Sequence, residues 1–113
     1  MPAIAHQRAA EDIDATITPL VVSGQAARVV IEGAWGAAFH WIAFGCETKH
    51  GQHQESHARL ATFLRTIGEP AVGAWWDQLD RLRQGGWYGS RTDPASVGLA
   101  MDMLREIRTW ATS

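Results

Sequence analysis

A chain of 113 residues, 46% apolar and 19% charged, has the size and makeup of one globular domain that can bury a core without metal or disulfide staples. Its net charge of −2 supplies no global field to draw it to nucleic acid. The single cysteine, Cys46, excludes an intramolecular disulfide, and the start, Met1 to Arg8, lacks the apolar run of a signal peptide, so a cytoplasmic protein is expected.

The first predicted helix spans residues 5–18. Ala9, Ile13 and Ile17 sit four apart on one face, with Glu11, Asp12 and Asp14 elsewhere. Pro19 is expected to break it, and Ser23 to cap the next helix. A long second helix is predicted over 25–45. It is apolar nearly all round, so it should be the most buried element. Small residues are interleaved with large ones there, and Gly33 and Gly36 lie close together. Glycine costs about 1 kcal/mol against alanine inside a helix, so such a pair predicts close approach of another backbone. The most apolar window, Val29 to Cys46, carries Glu32, His40 and three glycines. That favours a buried helix over a membrane span, and no membrane association is expected.

Residues 46–55 are polar and contain Gly51, which reads as a loop. Ser56 is expected to cap a third helix, 57–67, with Leu60, Phe63, Leu64 and Ile67 on one face and Gly68 at its end. Pro70 opens a fourth helix carrying Val72, Trp75, Trp76, Leu79 and Leu82, which Gly85 and Gly86 are expected to stop. Residues 87–93 form a loop in this reading. Asp93-Pro94 then starts a fifth helix with Val97, Met101, Leu104, Ile107 and Trp110 as its inner stripe. No segment alternates like a strand, so the chain is expected to be all-α and a single domain over 1–113.

These five helices, with Gly36-Ala37-Ala38-Phe39-His40, Ser56-His57-Ala58-Arg59-Leu60 and the R-x-x-x-x-Y-G turn from Arg83 to Gly89, resemble the HEPN family of small helical domains. The resemblance covers nearly the whole chain and implies a five-helix up-down bundle. It also implies frequent homodimerisation and a range of roles, from RNase toxins to nucleotidyltransferase partners in toxin–antitoxin systems. The family's nucleases follow an Arg, four to six residues on, with a catalytic His that takes the ribose 2′-OH proton while the Arg stabilises the phosphate. Here no His lies downstream of Arg81 or Arg83. Tyr88 stands five residues after Arg83, and a phenol titrating near about 10 is a poor base at neutral pH. The resemblance therefore implies a catalytically silent member, with no catalytic residue and no cofactor.

Four groups are candidate sites. Arg81 and Arg83, with Tyr88, could bind an anion; the plainer role has Arg83 paired with an acidic neighbour while Tyr88 packs. His40 and Glu32, two turns apart on the apolar second helix, must be satisfied internally and mark either a functional cleft or a hydrogen-bonded core position. His50, His53 and His57 offer imidazoles to Zn²⁺ or Ni²⁺, against polar residues at a loop and helix start. Adjacent Trp75 and Trp76 diverge by about 100° on a helix, so one is expected at an interface unless a large aromatic core holds the rings. The leading function is a catalytically silent HEPN-like domain acting by association. It would be a homodimer, with a nucleotide or a toxin–antitoxin-type protein as further partner. The alternatives are an RNA-processing enzyme with displaced residues, for which nucleic acid is the partner, and a small metal or ligand carrier.

Overall fold

The computed structural model describes residues 2–52, 54–88 and 94–113, with residues 86–88 described as helix only. Five α-helices follow in order: α1 Ala3–Ser23, α2 Ala27–His50, α3 Leu60–Thr66, α4 Pro70–Tyr88 and α5 Pro94–Thr112, with a 3₁₀ turn at His57–Arg59 before α3. Among the described residues there is no strand, in line with the all-helical expectation. The centre is α2. Helices α1, α4 and α5 all pack on it, while α3 packs on α4 and α4 on α5. Val30, Ile31, Ala34, Ala37, Ala38, Trp41, Ile42 and Cys46 along α2 are each at most 3% exposed, so the predicted most-buried element is the most buried. α2 is long and apolar enough to cross a membrane, and most of its apolar window is buried against the other helices.

Three helix ends differ from expectation. α1 does not stop at Pro19 but runs to Ser23. Proline leaves the carbonyl four residues back, Ala15, without its amide donor. Both residues lie on the exposed face, where water can take that carbonyl. The extra turn half-buries Leu20 and Val21 and reaches Gly24, which adopts φ 71°. The Gln25 amide then donates to Leu20 O at 3.1 Å and the Gly24 amide to Val21 O at 3.2 Å, a complete Schellman end. Ser23 is therefore the last residue of α1, and its hydroxyl donates back to Leu20 O rather than capping α2.

α2 continues past 45 to His50. Its last buried residue, Cys46, sits next to Gly45, which lies under the Trp110 ring of α5, and Lys49 donates from Nζ to Ser113 O at 3.0 Å. These contacts hold the polar segment helical until Gly51, whose amide caps Glu47 O. α4 likewise passes through Gly85 and Gly86 to Tyr88. Two glycines lower helix propensity by about 1 kcal/mol each without forbidding the conformation, and the Gln84 to Asp80 side-chain bond at 2.8 Å supports the turn just before. Of the helix expected over 57–67, His57–Arg59 is a 3₁₀ turn and only Leu60–Thr66 is α-helical, and the Ser56 hydroxyl makes no capping bond.

Buried stripes settle the core. On α4 they are Val72, Trp76 and Leu79; on α5 they are Ser96, Ala100, Leu104, Ile107 and Ala111, with Val97, Met101 and Trp110 at the margin. α1 contributes His6, Ala10 and Ile17, and its Asp14 carboxylate meets Arg108 of α5 at 3.2 Å.

The close approach expected of another backbone is made instead by side chains, at Gly33 and at Gly45, and is absent at Gly36. A Cβ at Gly33 would lie 2.5 Å from Ile17 Cγ2, and one at Gly45 would lie 2.5 Å from the Trp110 ring. At Gly36 a Cβ would meet only Ile13 Cδ1, at an ordinary 3.7 Å. Displacing the rigid Trp110 ring costs roughly 1–3 kcal/mol, and alanine's helix propensity offsets about 1 of that. Gly45→Ala is thus expected to lower stability by about 1 kcal/mol, while Gly36→Ala raises it by about 0.5–1 kcal/mol. Urea unfolding of the two variants side by side checks this; shifts of the same sign would contradict it.

Candidate functional site

Helices α2 and α4 face each other with matching polar-aromatic stripes. On α2, Glu32, Trp35 and Phe39 follow helical spacing, and on α4 so do Trp76, Asp80 and Arg83. The Trp35 and Trp76 rings stack with centroids 5.3 Å apart. Trp35 Nε1 donates to Asp80 Oδ1 at 3.1 Å, and Asp80 Oδ2 accepts from Gln84. Arg83 lies over the outer face of this arrangement. Its guanidinium carbon is 4.2 Å from the Trp35 ring centroid, its Nη1 is 3.7 Å from Glu32 Oε2, and its Nε is 3.7 Å from Asp80 Oδ1. Two of the predicted ligand residues, Arg83 and Glu32, therefore face one another. Arg81 is exposed and forms no ion pair with a described residue. The side chain of Tyr88 lies outside the described residues.

The 3₁₀ turn closes one end of the stack. His57 meets Phe39 edge-on at 4.3 Å and Trp35 edge-on at 4.6 Å. Beyond Phe39 the other face carries two more imidazoles. His40 does not pair with Glu32; its Nδ1 lies 2.9 Å from His6 Nδ1, and His6 is 1% exposed. Burial holds His40 below its ordinary value of 6.5, His57 pushes the same way, and Glu55 opposes both.

The predicted metal trio is not assembled by its described members. His50 ends α2 and faces Glu69 at 3.8 Å, whereas His57 is packed on Phe39 and Trp35, and His53 lies outside the described residues. Among the described residues no group of three His, Cys, Asp or Glu side chains could hold a metal ion. Cys46 is sealed inside; burial first, and the Glu69 carboxylate second, push its thiol up to about 12. The tryptophan pair divides. Trp76, 2% exposed, belongs to the core and offers no interface, because its ring is taken up by Trp35 and Phe39; Trp75 stays half-buried.

Sequence reasoning missed Asp80, the acceptor that joins Trp35, Gln84 and Arg83, and missed His6. The signal for His6 was present: it lies four residues before Ala10 on the face that continues to Ile17. Comparison with protein-family models, characterised proteins and solved structures finds no match to this chain.

Removing the Asp80 carboxylate strips Trp35 Nε1 of its acceptor and Arg83 of a counter-charge. A hydrogen bond to a charged group contributes about 1.5–3 kcal/mol when buried, and partial exposure reduces that here. Asp80→Ala is expected to cost about 1–2 kcal/mol in denaturant unfolding. Asp80→Asn, which keeps an acceptor, should cost less; a larger loss in the asparagine variant would show that the bond to Trp35 does not matter.

Proposed function

We propose that this chain is a HEPN-like helical domain without catalysis, which acts by associating with a second copy of itself. The observation that carries the absence of catalysis is the position of Arg83. A guanidinium that is to stabilise a phosphate must be open to it. This one is three-quarters covered, stacked on Trp35 and flanked by two carboxylates. A phosphate approaching it meets Glu32 and Asp80 first, and like charge repels it. With no His after His57 in the sequence, the exposed Arg81 has no downstream base to work with, and the proton-transfer half of a transesterification site is missing in its usual form.

Association is supported by apolar surface elsewhere than the tryptophan pair. An open groove of about 420 Å³ runs between α1 and α2, walled by Ile13, Ile17 and Val29 and floored by Gly33 and Gly36. Val29, 54% exposed, adds its side chain to the apolar wall of that groove.

Incubation of the pure protein with single-stranded RNA is expected to give no cleavage above buffer, and Arg83→Ala should behave as the parent. Cleavage that disappears in Arg83→Ala would favour the RNA-processing alternative instead. In sedimentation at micromolar concentration the parent should be a dimer. Val29→Glu should shift it toward monomer, whereas a parent chain that stays monomeric at tens of micromolar defeats the association.

A further inference from the structure

The contact between His6 and His40 joins two helices through atoms that titrate. Two ring nitrogens 2.9 Å apart share one proton: one donates an N–H and the other accepts with its lone pair. If both rings were protonated, N–H would point at N–H and two positive charges would meet at that distance, in a place where His6 is 1% exposed. Docking of the start of α1 therefore requires a bare Nδ1 on one of the two rings.

The rest of α1 is fastened differently. Ile17 sits against Gly33, and Asp14 binds Arg108 of α5 at 3.2 Å. Ala10 is the one other buried residue of the first turns, and those anchors lie two to three turns beyond His6, so the first turns, Ala10 with them, can part from α2 while the remainder stays docked. We propose that the His6–His40 contact is a proton-operated latch, which holds the first three turns of α1 on α2 while one Nδ1 is bare and releases them when both rings carry a proton. Release uncovers the Phe39 edge and the strip of α2 beside it, so that acid exposes an apolar surface that is closed at neutral pH.

The charged surroundings bias the latch. His57 from the 3₁₀ turn and Glu55 from the loop before it act on His40 in opposite senses, and among the described residues no charged group of α4 or α5 acts on it; the Arg83 guanidinium is held by Glu32 and Asp80. Burial is the largest influence and lowers the proton affinity of His40 in the docked state. The released state therefore binds more protons than the docked one. The latch is fully closed above the ordinary value of 6.5, weakens as pH falls below it, and is lost once pH passes below the lowered docked value.

The test is amide hydrogen exchange of the full chain at about pH 7.5 and about pH 5, corrected for intrinsic exchange rates, which reads opening segment by segment. Protection of residues 3–12 is expected to fall about tenfold or more at the lower pH, while residues 14–23 and α2 hold theirs. In His40→Asn, which keeps a donor and an acceptor near Nδ1 but does not titrate, the difference should vanish; His6→Asn serves the same purpose if that variant does not fold. Equal protection of residues 3–12 at both pH values in the parent chain overturns the latch. So does a loss spread evenly over all five helices, or a pH difference that survives in a folded asparagine variant.

Discussion

A helix that three others must touch has to be narrow where they touch it. α2 meets this constraint with residues lacking bulk: Ile17 of α1 lies where a Gly33 Cβ would be, and the Trp110 ring of α5 lies where a Gly45 Cβ would be. Everything else in the fold is placed relative to those two approaches. They set how near α1 and α5 come, and the alanines at 34, 37, 38 and 43 keep the spacing along the rest of the helix. Helix propensity is lost at the glycines, and tertiary packing outweighs it, which is the usual balance for a fully covered helix.

A central helix with polar side chains creates a second demand. Glu32, the Trp35 indole N–H and the His40 imidazole cannot be left dry and unpaired. Two of the neighbouring helices answer them. α4 brings Arg83 to Glu32 and Asp80 to Trp35, and α1 brings His6 to His40. The polar groups that look like a binding constellation on α2 alone are, in the folded chain, divided among different partners. This division is why a basic residue that resembles part of a phosphate site is turned inward, and why the imidazole contact lies on a separate side of Phe39.

The sequence showed much of this and hid the rest for physical reasons. Five helices, the centrality of α2 and the close packing at Gly33 follow from periodicity and residue size, which act locally. Helix ends were less legible. Pro19 is a breaker by propensity, yet it lies on an exposed face and the turn after it has packing and a Schellman end to gain. The glycines at 85 and 86 weaken a helix without ending it. The inner stripe of α5 is centred on Ala100, Leu104 and Ile107, and the large margin residues Val97 and Met101 mask the buried serine and alanines in the pattern. Pairings across helices were the least legible. Arg83 with an acidic partner was foreseeable as a type of contact, but Asp80 as the shared acceptor and His6 as the partner of His40 depend on the rotation of whole helices, which no local pattern encodes.

Cys46 has a consequence of a different kind. A lone thiol, sealed in the core and raised to about 12, is almost wholly un-ionised at neutral pH. Alkylating and oxidising reagents attack the thiolate, so the native chain is inert to them, and labelling proceeds at the rate or population with which α2 and its neighbours separate. The chain thus contains its own chemical clock for opening of the central helix, one that needs no engineered probe and is silent to motions confined to the surface.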